Sequence, residues 1–380
     1  MKPSTPFDPS ELEMEAEVAT RARLDSVEWG HARSLPIRNN DYQLDPQFEP
    51  YTASGTRLDK FTEEYDDLPI HVTLIESGVL FGEEFLVCDA NHPTVSSERL
   101  YLTRHKRTLR RLELERIPVE DGPTYLVGAN AEPQNFYHWN FQCLPSIVLL
   151  RSVARERNLS YRIVLPPIDG ARWKSLELAG IDPSECVELR PDGFIQGAPM
   201  MYTTAMCGYY AFQPSAQLIK LMDSYLDNCL KRSRAKMPTR FYLSRKDAPG
   251  KREIENEADL EKALQRRAFE RLVMSHLPIE DQVAAFAKAE CIVAPHGAGL
   301  VNLMFAPQSA NFLEILPENY RMAYFFRLAQ VRGIHYSQVL SRVQDSWDGT
   351  DVHHCSLSVN VDKVLMALDQ LEDRTMRGAA

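Results

Sequence analysis

From Arg240 onward, short apolar runs alternate with stretches whose apolar residues recur every three or four positions. "RFYLSR" (Arg240–Arg245), "ERLVMS" (Glu270–Ser275), "CIVAP" (Cys291–Pro295), "NFLEILP" (Asn311–Pro317) and "IHYSQVL" (Ile334–Leu340) read as strands. The segments between them, "NEADLEKALQRR", "PIEDQVAAFAKAE", "HGAGLVNLMFA" and "YRMAYFFRLAQVRG", read as helices, the third beginning with a turn. Asn256 stands at an N-cap, Pro278 near a first turn and Gly333 at a stop. Strand–helix alternation of this kind predicts a doubly wound parallel sheet. "VDKVLMALDQLE" adds a last amphipathic helix.

The first half is less regular. Residues 1 to about 70 have weak periodicity and predict an irregular arm with one helix at Ser10–Ala22. His71–Asp89 reads as short strands broken at Ser77–Gly78 and Gly82. "PTYLVG", "YRIVLP" and "CVELR" are further strands. "NFYHWNFQCLPSIVLLRSVARER" is a helix with a kink at Pro145, and "RWKSLELAG" a short helix stopped by Gly180. The amphipathic run Ser215–Arg232 and the polar break after it mark a boundary. The expected division is an arm (1–70), a first domain (71–220), a second domain (221–350) and a closing segment (351–380) whose helix packs back on the first domain.

Length and composition add limits. With 380 residues the chain can hold two cores. Seven cysteines without a C-x-x-C pair argue against a disulfide framework or a zinc ribbon. A net charge of −10 argues against a nucleic-acid partner. No apolar run suits a bilayer and the N-terminus lacks a signal-type stretch, so the cytosol is the expected location. One segment opposes the acidic trend, Arg99–Arg116. It reads as a solvated face, or more sharply as a basic patch for peripheral contact with anionic lipid or for a phosphorylated acceptor.

The chemistry concentrates at "APHGAGLVNLMFAP", Ala294–Pro307. It puts His296, Gly297, Ala298, Gly299 and Asn302 at the carboxyl end of a strand, where ligands of open parallel sheets bind. Two readings stand: a tight strand-to-helix turn, or a phosphate-binding loop in which the glycines take positive φ and a helix N-terminus faces an anion. The dinucleotide and Walker patterns are both absent. Arg245 ends a neighbouring strand, and Arg252, Asn256 and Glu257 follow at the next helix start. Arginine suits a phosphate because its planar fork donates two parallel hydrogen bonds. Glu314, in an apolar strand, needs a partner, either a ribose diol or a nearby arginine. No G-x-S-x-G elbow occurs, which argues against an α/β hydrolase.

"YLSRKDAPGKREIENEADLEKAL", "LPIEDQVAAFAKAECIVAPHGAGLVNLMFAP" and "FLEILP" together resemble glycosyltransferase family 61. "NFYHWNFQCLP" (Asn135–Pro145) resembles the family's upstream segment. That family includes plant arabinoxylan xylosyl- and arabinosyltransferases, animal O-linked GlcNAc transferases of the secretory pathway and many bacterial members, the last being the type this chain resembles. The resemblance implies a GT-B fold, two Rossmann-like domains facing across a cleft. It implies transfer of a sugar, with inversion, from a nucleotide donor, usually a UDP-sugar, to a glycan, lipid-linked or protein acceptor, without a metal or other cofactor. Arg245, Arg252, Asn256, His296, Gly297, Ala298, Gly299, Asn302 and Glu314 then belong to the donor side, Glu314 near the ribose. Asn135, His138 and Trp139 belong to the acceptor side, with His138 the expected general base. The residues alone leave His138 open between that role and packing of the cleft wall. A nucleotide-sugar- or glycan-binding protein that kept the fold without turnover is the alternative function.

Overall fold

The computed structural model describes residues 70–378 apart from 83–84, 90–91, 96–114, 130–132, 207–213, 319, 321 and 344–353, and four strands before them: Asp25–Trp29, Ser34–Leu35, Tyr42–Gln43 and Tyr65–Asp66. The expected helix at Ser10–Ala22, most of the arm, and the basic stretch except Glu115–Arg116 lie outside the described residues. Two compact units emerge. The first comprises Met1–Ala32, Leu68–Ala211 and Lys220–Met222; the second Arg33–Asp67, Phe212–Ile219 and Asp223–Ala380. Among the described residues, no helix is long and apolar enough to cross a membrane.

The first unit carries a mixed sheet rather than the doubly wound one expected. Its strands run in the order Cys186–Glu188, Tyr161–Leu165, Thr124–Val127, Gly193–Thr203, Ile70–Phe81, Leu86–Asp89, His92–Val95. The first four pair in parallel and the rest antiparallel. Ile70–Phe81 is one strand of 12 residues, so Ser77–Gly78 makes no turn. The reason lies in the partner strand. Gly197 (φ 85°) accompanies register shifts on either side of Ala198, and that irregularity absorbs the local bend. Gly78 lies beneath Met200, whose Sδ would stand 2.6 Å from a methyl group there. Gly193–Thr203 itself went unread because Gly197 and Pro199 interrupt its pattern.

The second unit follows the expected alternation closely. Its central strands lie in the order Glu270–Val273, Arg240–Ser244, Cys291–Pro295, Asn311–Pro317, His335–Val343, all parallel. Ser356–Ser358 continues the sheet antiparallel, and Glu253–Ile254 closes that edge. Apolar residues alternate between the faces of this sheet. Phe241 meets Phe286 of the helix Ile279–Ala287, with ring centroids 5.3 Å apart. Tyr242, next in the strand, joins a core with Leu260, Leu264, Val293, Leu313, Val364 and Leu368. That core includes the last helix, Val361–Gly378, so this helix packs on the second unit's sheet, where a return to the first domain was expected. Its apolar stripe Val364, Ala367, Leu368, Leu371 has helical spacing and is buried.

The chain leaves Arg240–Ser244 to form Glu270–Val273 on one side, then crosses to form Cys291–Pro295 on the other. The carboxyl ends of Arg240–Ser244 and Cys291–Pro295 therefore flank the topological switch point, where sheets of this kind bind ligands.

Candidate active site

The two strands that flank the switch point are in register, Arg240 opposite Cys291 and Tyr242 opposite Val293. Their ends coincide, which brings Arg245 beside His296 and Gly297. Nε of Arg245 donates to the Lys251 carbonyl at 2.9 Å. The guanidinium lies so close to Gly297 that a methyl group on this glycine would overlap Nη1. Gly297 has extended backbone (φ 179°), and Gly299 is not among the positive-φ glycines. The expected left-handed loop is thus corrected: the glycines serve close approach, to Arg245 at Gly297 and to Met274 at Gly299, where Cγ would stand 3.2 Å from a Cβ. Gly297→Ala is therefore expected to displace Arg245 with little change in melting temperature, because any L-residue adopts this backbone. Thermal denaturation of the variant checks this: a melting temperature well below that of the wild type would show that the close packing of Arg245 on Gly297 contributes to stability.

The α-helix expected after Gly299 is a 3-10 helix, Ala298–Phe305. It closes i→i+3, Leu300 N–H donating to the Gly297 carbonyl and Ala306 N–H to that of Leu303, each at 3.0 Å. Leu300 to Phe305 are all buried, so this segment is core as well as loop. Asn302 is buried and its amide donates to the Gly299 carbonyl at 3.3 Å, bracing the loop from within. Asn256 occupies the N-cap position of Glu257–Gln265 without capping it. Its amide instead clamps Val359, donating to the carbonyl at 2.8 Å and accepting from the N–H at 3.1 Å.

Behind the loop stands a buried relay. His296 Nδ1 and Glu314 Oε1 are 2.7 Å apart, and the Tyr336 hydroxyl donates to Glu314 Oε2 at 2.6 Å. His296 is 4% exposed and Glu314 0%. Glu314 was expected beside a ribose; full burial, with both oxygens engaged by protein, corrects that reading. Burial pushes its carboxyl up to about 8, against the pull of the Tyr336 hydroxyl and the Arg252 charge. Tyr320, Tyr324 and Phe325 surround the imidazole, with ring centroids 5.4, 6.0 and 4.9 Å away. Tyr336 went unnoticed in the sequence because nothing in "IHYSQVL" separates a relay tyrosine from an ordinary strand residue.

Arg252 is buried, has φ 62°, and donates its backbone N–H to the Cys355 carbonyl at 2.6 Å. Its guanidinium lies 5.3 Å from the centre of the Tyr320 ring. Arg245 is pushed down to about 10, by burial first and then by the charge of Arg252. Two guanidinium groups that repel each other in a partly buried place are what an anion would relieve. Next to them opens a cavity of about 200 Å³, lined by Tyr242, Arg245, Lys246, Glu255, Glu257 and Pro295 among others. Tyr242 donates to buried Glu257 at 2.9 Å, and Lys246 Nζ lies 3.2 Å from its other oxygen.

In the first unit Asn135 caps the turn that carries His138, its Oδ1 accepting from Tyr137 N–H at 2.9 Å. Trp139–Cys143 then forms a π-helical turn, in which Leu144 N–H reaches the Trp139 carbonyl. Pro145, which offers no N–H, follows this wide turn in the first turn of the helix Leu144–Glu156. His138 Nδ1 lies 2.7 Å from Gln142 Oε1, while Gln142 Nε2 donates to the Met206 carbonyl at 3.2 Å. That carbonyl accepts only from the amide nitrogen, so Gln142 turns its oxygen to His138. Nδ1 then carries the proton and Nε2 the lone pair, the tautomer of a general base. Burial pushes the imidazole below its ordinary value, partly offset by Gln142. Trp139 is only 1% exposed and donates to Ser175 Oγ at 2.8 Å, with Arg172 over its ring. It is a core residue that anchors the segment, where an acceptor-side role was expected.

Much of this apparatus lies in one stretch of recognisable sequence. Residues 136–313 match the family model Glycosyltransferase 61. The Glycosyltransferase 61 match takes in His138, Trp139, Arg245, Arg252, Asn256, the loop His296–Gly299 and Asn302; Asn135 and Glu314 lie just beyond its ends. The chain is also similar to a beta-1,2-xylosyltransferase from Arabidopsis thaliana, 30% identical over 64 residues, a stretch amounting to 17% of this chain and 12% of that protein.

Proposed function

We propose that the chain is a glycosyltransferase of GT-B type that moves a sugar from a nucleotide-sugar donor, a UDP-sugar above all, to a hydroxyl of a glycan, lipid-linked or protein acceptor, with inversion. The carrying observation is Arg245 pressed against Gly297 at the switch point of the second unit, inside the stretch similar to Glycosyltransferase 61. In this reading the diphosphate meets Arg245, Arg252 and the loop His296–Gly299. Nε2 of His138 accepts the proton of the attacking hydroxyl. The acceptor oxygen bonds to the anomeric carbon as the bond to the diphosphate breaks, and the leaving charge rests on the guanidinium groups. The cytoplasm is the proposed location, with peripheral membrane contact through 99–116.

The test is a thermal-shift screen of nucleotides and nucleotide sugars, followed by mass spectrometry of candidate acceptors incubated with the donors that stabilise. A protein that neither gains stability nor transfers sugar from any of them refutes the proposal. Two arginines already supply the charge that a diphosphate requires, so transfer is expected to persist in excess EDTA. Loss of activity in EDTA with recovery on adding manganese would overturn metal independence.

A further inference from the structure

The cavity beside Arg245 joins the ends of the strands Arg240–Ser244 and Cys291–Pro295 to the edge strand Glu253–Ile254. It lies wholly within the second unit. Its volume, about 200 Å³, is below the roughly 300–1,000 Å³ of pockets that enclose a drug-sized ligand. It therefore suits one ring of a donor rather than the whole molecule.

The lining says which ring. Glu253, Glu255 and Glu257 all face this space. Ionised carboxylates only accept hydrogen bonds, so the occupant has to donate. Phosphate oxygens and the carbonyl edge of a base also accept, and are disfavoured here. Glu257 decides the case, because it is buried and its place is fixed. It begins the helix Glu257–Gln265, and the preceding Asn256 is clamped to Val359 in both directions. Its Oε1 accepts from the Tyr242 hydroxyl at 2.9 Å, and Lys246 Nζ lies 3.2 Å from Oε2. Burial, and then the Glu257 charge, pushes the Tyr242 hydroxyl up, so it remains a donor to that carboxylate. A carboxylate has about four acceptor sites, two on each oxygen. Tyr242 and Lys246 take one on each, which leaves one on each. Two acceptors side by side are what a vicinal diol requires.

Resting on the donor reading above, we propose that this cavity is the ribose subsite: the 2′- and 3′-hydroxyls of the donor donate to the two oxygens of Glu257, which selects ribonucleotide donors. Arg245 joins the two parts of the site. It lines the cavity, and its guanidinium also lies against Gly297, where the diphosphate is placed. Its Nε is taken by the Lys251 carbonyl, so the fork turned to the ligand is the pair of Nη groups. The transferred sugar is the other ring carried by the diphosphate. It must present its anomeric carbon to an acceptor, and a cavity of this size has no room for an acceptor beside it.

Calorimetry with UDP, 2′-deoxy-UDP and inorganic pyrophosphate tests this on the wild type, Glu257→Gln and Ser356→Phe. The wild type is expected to bind UDP about tenfold more tightly than 2′-deoxy-UDP, the worth of one charge-assisted hydrogen bond. The NH₂ of Glu257→Gln puts a donor where the diol needs an acceptor. In that variant UDP should fall to the level of the deoxy analogue, and the difference between the two should vanish. Ser356, from the neighbouring strand, also lines the cavity, and phenylalanine there fills it. Ser356→Phe should abolish the preference for UDP over pyrophosphate. Pyrophosphate should bind all three proteins alike, whereas a misfolded variant would lose every ligand together. Equal affinity of the wild type for UDP and 2′-deoxy-UDP would overturn the proposal, even if neither variant folded. Full discrimination retained by Glu257→Gln would overturn it as well. If pyrophosphate binds and UDP binds no better, the ribose subsite alone falls. If neither binds, the donor site falls and takes the subsite with it.

Discussion

His138→Ala is expected to lower the transfer rate by roughly 10²–10⁴-fold, the range for loss of a general base. The expectation rests on a chain of contacts. The Met206 carbonyl orients Gln142, Gln142 holds the proton on Nδ1, and Nε2 is left basic. Donor affinity should hardly change, because the diphosphate groups belong to the other unit. His138→Asn should fail as badly as alanine, since an amide takes up no proton. The pH profile of kcat/KM supplies the sign. The base works when neutral, so the rate rises with pH through the imidazole pKa. Burial places that limb below the ordinary histidine value of about 6.5. A histidine that merely packed the wall would give a different result: the asparagine variant would keep much of the rate, melt at a lower temperature and retain the limb.

The second unit was legible because its signals are local. Each strand is a short apolar run, the helices Glu257–Gln265, Ile279–Ala287 and Tyr324–Arg332 follow the 3.6-residue period, and Gly333 (φ 72°) stops its helix as read. Parallel order then follows from alternation, and the switch point from order. The first unit resisted because its architecture depends on partners far apart in sequence. Nothing in Ser77–Gly78 reveals that Met200 will cover Gly78, or that the irregularity at Gly197 will let one strand run through. The site divides in the same way. His296 and Arg245 stood out by residue type and position. The relay did not, because it joins Glu314 to a tyrosine 22 residues away, across two strands. Glu314 shows the limit most clearly. A carboxylate in an apolar strand does require a partner, but its identity is set by which side of the sheet it faces, and that is a tertiary fact.

Arg245→Ala is expected to weaken UDP binding by about 1.5–3 kcal/mol, the worth of a charge-assisted hydrogen bond, or roughly 10- to 150-fold in Kd. Two effects act in opposite directions. Removing Arg245 removes the donor nearest to Gly297, which costs affinity. It also relieves the repulsion that Arg252 exerts on it, which stabilises the empty protein. The variant should therefore melt no lower than the wild type without ligand, yet gain less from UDP. This pairing separates a binding role from a structural one, since loss of a structural residue lowers both melting temperatures together. Arg245→Lys should recover only part of the affinity: it restores the charge but not the planar fork. Equal affinity in the wild type and the alanine variant would remove Arg245 from the site. The diphosphate would then have to be held by Arg252 and the loop alone, and the tight fit of Arg245 against Gly297 would be packing.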